Sequence, residues 1–144
     1  MTRSAIKTWA AVLGVLCAAV FSWLWFTGYV SLIPWCRVKI HHHVLSGDKG
    51  LIRKAISQLR ASDEDGFRAL CRYVDAIYER VCYGADWNIT DASQWYRKPG
   101  CFVKGSRAVY LTPTKNQTRS AVANRAVDLG RFAKYAREFW EGRR

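Results

Sequence analysis

The sequence is poor in acidic residues and lacks the motifs that most enzymes use. It has 11 Asp and Glu against 23 Lys and Arg, and its three histidines are the adjacent residues 41–43. Consecutive side chains point in different directions, so at most two of these histidines could bind one metal ion. Serine-hydrolase, zinc-peptidase, phosphate-loop and EF-hand motifs are missing. We therefore expect no catalytic residues, no metal and no cofactor.

Paired carboxylates are conceivable among the acids of the middle of the chain, which are Asp75, Glu79, Asp86 and Asp91. Such acids are usually solvated or cap helices, so a pair working as acid and base is the weaker interpretation. No concave site with several perturbed acids is expected, and no small-molecule substrate is inferred.

Charge is also missing from one long stretch near the amino end. No charged residue occurs between Thr8 and Cys36, and the 21 residues from Trp9 to Tyr29 are almost wholly apolar. As a helix they would rise ~31 Å, close to the ~30 Å hydrocarbon core of a bilayer. Trp9 at one end, with Trp25 and Tyr29 toward the other, is typical of an aromatic belt at the headgroups. We expect an uncleaved transmembrane anchor.

Two alternatives to an anchor stay open. A cleaved signal peptide would have small residues before the cut, where this chain has Trp23 to Phe26. A buried core helix would normally show a polar stripe. For the anchor, flanking charge does not set the orientation, because three cationic groups lie on each side. These are the terminal amine, Arg3 and Lys7 before it and Arg37, Lys39 and Lys49 after it. Four cysteines after the anchor favour an oxidising compartment, so we expect a cytoplasmic amino terminus and an extracytoplasmic domain.

The rest of the chain predicts a small α+β domain, mostly helical, with one β-hairpin. The predicted organisation is an anchor over 1–36, a polar juxtamembrane linker over 37–50 and a domain over 51–144. Apolar spacing predicts a helix from Leu51, a second from about Asp63 to Cys82 with Ser62 in its cap, and a third from about Thr118 to Glu141. A loop over 83–100 precedes a hairpin over 101–111.

The cysteines allow few pairings. Cys71 and Cys82 lie ~16 Å apart along the second predicted helix and could not form a disulfide there. Of the two remaining connectivities we favour Cys82 with Cys101 and Cys36 with Cys71. Free buried thiols are the alternative. Cys17, within the anchor, is expected to remain a thiol.

The strongest surface signal is a basic segment without any acid between Asp91 and Asp128. Aromatic residues are interleaved with its cations, a pattern that can follow a phosphate backbone, contact anionic lipid headgroups or meet an acidic protein. A solvated face with core aromatics is the plainer interpretation. The candidate partner- or polyanion-binding residues are Arg97, Lys98, Lys104, Arg107, Lys115 and Arg119, with Arg125 completing the set.

Two segments carry a resemblance to a known group of proteins. Pro99 to Pro113 (PGCFVKGSRAVYLTP) and Tyr135 to Trp140 (YAREFW) resemble uncharacterised, single-pass membrane-anchored proteins of ultrasmall candidate-phylum bacteria. The resemblance spans roughly residues 50–141. It implies a bacterial envelope protein, and it implies no activity and no functional residue because none is assigned to the family.

Together these features predict a membrane-anchored, non-enzymatic interaction or structural protein of the cell envelope or of a membrane complex. Its partners would be the lipid bilayer and either a protein or an anionic polymer. The alternative function is a tethered module that binds nucleic acid or a cell-wall polyanion. Steep salt dependence would distinguish polyanion binding from a protein contact.

Overall fold

The computed structural model describes residues 3–32, 35–82 and 99–142, which contain four helices and a five-stranded sheet. In chain order the elements are α1 Arg3–Thr27, β1 Gly28–Leu32, β2 Trp35–His41, α2 Lys49–Ser62, α3 Glu64–Tyr73, β3 Ala76–Glu79, β4 Gly100–Phe102, β5 Ala108–Leu111 and α4 Arg119–Glu141. The α+β class is confirmed. The expectation of a single β-hairpin is wrong, because five strands join in the order β1-β2-β3-β5-β4.

Helix α1 contains the apolar segment. Trp9–Thr27 has a mean hydropathy of 2.0, and none of this segment is buried against the rest of the protein. Its length and composition are those of a membrane span, and they fit an anchor or a signal sequence. The helix ends where Gly28 begins β1, and a Cβ at Gly28 would lie only 2.2 Å from the carbonyl oxygen of Val38. Glycine therefore permits the close turn from α1 into the sheet.

The first two strands form a hairpin that the sequence analysis did not predict. They pair antiparallel, with Tyr29 opposite Val38 and Ser31 opposite Cys36. Burial alternates along β2, as expected for a strand with one face in the core. Residues 37–41, predicted as linker, lie in this strand, while Lys49 and Gly50 begin α2 behind an Asp48 cap. The division into three domains stays a prediction.

The prediction of one helix from Asp63 to Cys82 is wrong. Helix α3 ends at Tyr73, and β3 lies between β2 and β5, parallel to both. The four residues of β3 occupy the middle of the sheet, where Ile77 is fully buried. Pairing with two neighbours satisfies the backbone of this segment on both edges, which outweighs its helix-like apolar spacing. The side chain that caps α3 is Asp63, one residue beyond the predicted Ser62.

The carboxyl-terminal predictions are confirmed. Strands β4 and β5 form the expected hairpin, with Gly105 at a φ of 85° in its turn. Helix α4 covers the third predicted helix, and the Thr118 hydroxyl accepts the Ala121 N–H as its cap. The segment predicted as a loop over 83–100 lies almost entirely outside the described residues.

The core forms between one sheet face and three helices. Val38, Ile77 and Val109 point from neighbouring strands toward α2, α3 and α4. Both favoured cysteine pairs are at disulfide distance, with Cα–Cα separations of 4.8 Å for Cys36–Cys71 and 5.9 Å for Cys82–Cys101. They join β2 to α3 and the end of β3 to β4, and Cys17 is an exposed free thiol.

Candidate functional site

The structure separates the basic residues that the sequence grouped into one site. Lys104 is exposed in the β4–β5 turn, and Arg107 forms an ion pair with Asp75 at 2.9 Å while donating to the Arg72 carbonyl. Arg107 therefore holds the hairpin against the start of β3. Arg97 and Lys98 lie outside the described residues.

The other predicted cations lie beyond the opposite end of β5. Lys115 is exposed in the connection to α4, and Arg119 begins that helix. Arg125 is buried, with its guanidinium donating to the Thr112 carbonyl at 2.7 Å. Lys104 and Arg107 precede β5, whereas Lys115 and Arg119 follow it, so the hairpin turn and the start of α4 do not form one patch.

Positive charge is instead concentrated around the end of α1. The Lys49 amino group donates to the Phe26 carbonyl, and Arg53 donates to the carbonyls of Trp25 and Gly28. The Arg53 guanidinium also lies 5.4 Å from the centre of the Trp25 ring. The last carbonyls of a helix lack partners within the helix and carry partial negative charge. Two cations from α2 therefore cap α1 and hold it against the domain.

A smaller cavity of about 440 Å³ lies on one side of this junction. Trp25 and Tyr29 form part of its wall, together with Arg53, Lys54 and Arg119. Arg119 is thus the one predicted binding residue that the described structure brings to the end of α1.

A larger cavity of about 750 Å³ lies between the last turns of α1 and strand β2. We call it the anchor-side basic cavity, and its main lining residues are Trp23, Phe26, Arg37, Lys39, Lys49 and Arg80. No acidic side chain is among the described residues that line it. Burial, and to a smaller degree the charge of Arg53, lowers the pKa of the Lys49 ammonium group. The cavity thus combines an aromatic wall from α1 with four cations.

Aromatic rings continue from this cavity across the open face of the sheet. His41, Tyr78 and Tyr110 occupy matching positions on β2, β3 and β5. Their rings stack in sequence, with centroid separations of 4.5 Å and 5.3 Å. Arg80 lies 6.0 Å from the Tyr78 ring. We call these three stacked rings the aromatic ladder. Because Tyr78 lies between its two neighbours, a base or sugar could stack only on the outer faces of His41 and Tyr110.

Among the described residues, one carboxylate is buried in the core, on the sheet face opposite the aromatic ladder. Glu79 is fully buried, and its Oε2 accepts the Asp48 N–H at 2.8 Å, while Oε1 has no hydrogen-bond partner among the described residues. Burial raises the pKa of Glu79, although the Asp48 amide and the nearby Arg125 guanidinium oppose that shift. Glu79 therefore acts in packing and in fixing the 43–48 turn, contrary to the expectation that such acids are solvated.

The predicted anchor residues fall into two groups. Trp9, Trp23 and Trp25 are exposed on α1, whereas Tyr29 lies in β1, is 8% exposed and packs edge-on against Phe67. Tyr29 is therefore a core residue of the domain, and its assignment to the aromatic belt is corrected. Among the described residues, no group of three or more potential metal ligands occurs.

Comparison of the chain with known protein families, curated proteins and solved structures finds no match. The function is therefore inferred from the geometry of the chain itself. The sequence analysis missed Arg53 and Arg80, and it used Arg37, Lys39 and Lys49 only to weigh orientation. The alternation of apolar and basic residues over 36–41 is the signal that places Arg37 and Lys39 on one strand face.

Proposed function

We propose that this chain is a single-pass membrane protein without enzymatic activity, which tethers a small disulfide-linked domain as an interaction or structural component of a cell envelope or membrane complex. The observation that carries the proposal is α1, whose apolar segment is long enough to cross a bilayer and is uncovered by the protein. The amino terminus would be cytoplasmic and the domain extracytoplasmic, as the two cysteine pairs favour.

An exposed face of α4 supports a protein partner. Val127 and Tyr135 are 68% and 49% exposed, eight residues apart on one helix side. They line a cavity of about 470 Å³ that also includes Lys134 and Glu138. An apolar contact ringed by charges is the composition of a modest protein interface.

The anchor predicts that Leu13→Arg/Leu16→Arg abolishes stable membrane association. Each arginine near the centre of a span opposes insertion by about 2.5–3.5 kcal/mol. The matched control is Val44→Arg/Leu45→Arg, which changes two exposed apolar residues outside α1. Carbonate washing of vesicles, with intact-mass measurement of the retained chain, tests this. Retention of wild type and control, with residue 1 present, is expected. Release of uncleaved wild type contradicts the anchor.

A polyanion-binding module is the second candidate, and the aromatic ladder is the observation that favours it. We expect Tyr78→Leu/Tyr110→Leu to weaken binding of a single-stranded oligonucleotide by about tenfold, because it removes the outer ring face of Tyr110 together with the ring behind it, and a stacked base contributes roughly 1–3 kcal/mol. Tyr135→Leu on α4 is the control. Titrations at two salt concentrations measure the oligonucleotide affinity of each variant. The affinity of wild type is expected to fall steeply as salt rises.

The variant Lys104→Glu/Arg107→Glu tests whether a polyanion contacts the aromatic ladder or the hairpin turn. If this variant loses oligonucleotide binding while the tyrosine variant keeps it, the polyanion contact is at the hairpin. If wild type shows no salt-dependent binding, the second function is excluded and the protein-partner function is favoured.

A further inference from the structure

We propose that the anchor-side basic cavity binds the phosphate headgroup of an anionic phospholipid. The inference rests on the proposed function in one respect, which is that α1 spans a membrane. It adds a ligand class and a site that the tether alone does not require.

The cavity has the charge that an anionic headgroup needs. Arg37 and Lys39 lie two residues apart on β2 and therefore point to the same face, and Arg80 follows β3, the next strand of the sheet. None of these three forms an ion pair with a carboxylate among the described residues. Phosphate oxygens accept charge-assisted hydrogen bonds from such side chains, and Arg can bind them through two parallel bonds.

The cavity also has an apolar wall, and this wall favours a lipid over a free phosphate. Trp23 and Phe26 project from the last turns of α1 and are 70% and 73% exposed. In a helix that ends at Thr27, both lie within about 6 Å of its end along the axis. That is the depth at which acyl chains meet headgroups, and where tryptophan is enriched. A bound lipid would place its phosphate on the strand cations and its first methylenes on the rings.

Lys49 closes the cavity at the junction itself. Its amino group donates to the Phe26 carbonyl, so its position is fixed by the end of α1. Its lowered pKa reflects partial burial and the neighbouring Arg53, and an anionic group nearby would reverse that shift. The nearest described acid in sequence, Asp48, is engaged by the Gly50 and Leu51 amides and by Gln117. Among the described residues, no carboxylate forms an ion pair with Lys49 or shifts its pKa.

The test uses the full chain in a nonionic detergent, with phosphatidylglycerol or phosphatidylcholine added and bound lipid counted by native mass spectrometry. Wild type is expected to retain phosphatidylglycerol at a concentration at least about tenfold lower than phosphatidylcholine, because the cations of the cavity attract an anionic headgroup. Arg37→Gln/Lys39→Gln should reduce that preference by about tenfold or more, because it removes two of the four cations of the cavity. Lys104→Gln/Lys115→Gln removes the same charge from exposed positions elsewhere and should keep it. Circular dichroism verifies that all variants are folded.

Equal retention of the two lipids by wild type overturns the proposal, and so does equal loss of preference in both variants. Competition by soluble glycerol phosphate at the concentration of the lipid also overturns it, because the site would then take a free phosphate. The anchor is judged separately, since micelles do not require a spanning helix. Release by carbonate with a preserved lipid preference refutes the tether alone. Firm membrane retention without a lipid preference refutes the lipid site alone.

Discussion

Removal of the Cys36–Cys71 disulfide is expected to lower the free energy of unfolding by about 4 kcal/mol. The bond joins residues separated by 35 positions, and a loop of that length gives a crosslink contribution of about 4 kcal/mol through the entropy of the unfolded chain. Cys36 is fully buried beside Val38 in the core. The bond fixes β2 to α3 and thus supports the strand that carries Arg37 and Lys39.

Urea unfolding of Cys36→Ala/Cys71→Ala in nonionic detergent, followed by near-ultraviolet circular dichroism, measures this effect. Cys82→Ala/Cys101→Ala should lose less, about 3 kcal/mol, because its ends are separated by only 19 positions. Cys17→Ala is the control, since that thiol is exposed on α1 and unpaired. Reduction of wild type should destabilise it at least as much as the first variant does.

Two results would contradict this account. Equal stability of Cys36→Ala/Cys71→Ala and wild type under oxidising conditions would mean that the bond does not form in the isolated protein. A larger loss for the Cys82–Cys101 variant would mean that local contacts outweigh loop length. The first result would also remove the main support for an extracytoplasmic domain, because the cysteine pairs are what favour an oxidising compartment.

The elements that sequence predicted best are those whose apolar spacing fits only one structure. Helix α4 has a continuous apolar face from Val122 to Ala136, with charges opposite, and the β4–β5 hairpin has a glycine turn between two short apolar segments. The favoured cysteine pairing was also right, although one premise was wrong. The sequence analysis excludes a Cys71–Cys82 disulfide because it places both residues on one helix. In the structure, β3 lies between α3 and Cys82.

Strand β3 could not be identified from sequence because its pattern fits both structures. Val74, Ile77, Tyr78 and Val81 continue the 3–4 spacing of the helix before them, and a buried strand of four residues carries no alternation of its own. The partners that make it a strand come from β2 and β5, which are distant in the chain. Pairing with β2 and β5 in the assembled sheet therefore determines that this segment is a strand and not a continuation of the helix.

The candidate site was hard to predict for a related reason. The cations of the anchor-side basic cavity come from β2, α2 and the end of β3, so no single segment is conspicuously basic. The acid-free segment after Asp91 was more prominent, yet the structure uses its Arg107 for an ion pair and its Arg125 in the core. Local charge density alone therefore does not show which cations stay available to a ligand, because tertiary contacts determine that.

Glu79→Ala is expected to lower the free energy of unfolding at pH 7 by about 1–3 kcal/mol, the cost of leaving a buried polar group without its hydrogen-bond partner. The substitution leaves the Asp48 amide without its acceptor and removes the attraction that Glu79 exerts on the buried Arg125. Glu79→Gln should cost less, because an amide oxygen can still accept the Asp48 N–H. The Arg125 guanidinium would keep its bond to the Thr112 carbonyl in either variant.

The pH dependence distinguishes a buried carboxylate from a merely well-packed side chain. Because the folded pKa of Glu79 is raised, the folded chain holds this proton more tightly than the unfolded chain does. The resulting stabilisation is complete below the unfolded pKa, roughly 4.3, and is lost as pH rises through the folded value. The charged and titratable groups near Glu79 are Arg125, His42 and Asp48, and Asp128 has its own raised pKa.

Unfolding free energies of wild type and Glu79→Gln should therefore be compared from pH 4 upward. Wild type should lose stability relative to the variant as pH increases. Parallel curves would show that the pKa of Glu79 is the same in the folded and the unfolded chain, which contradicts a pKa raised by burial.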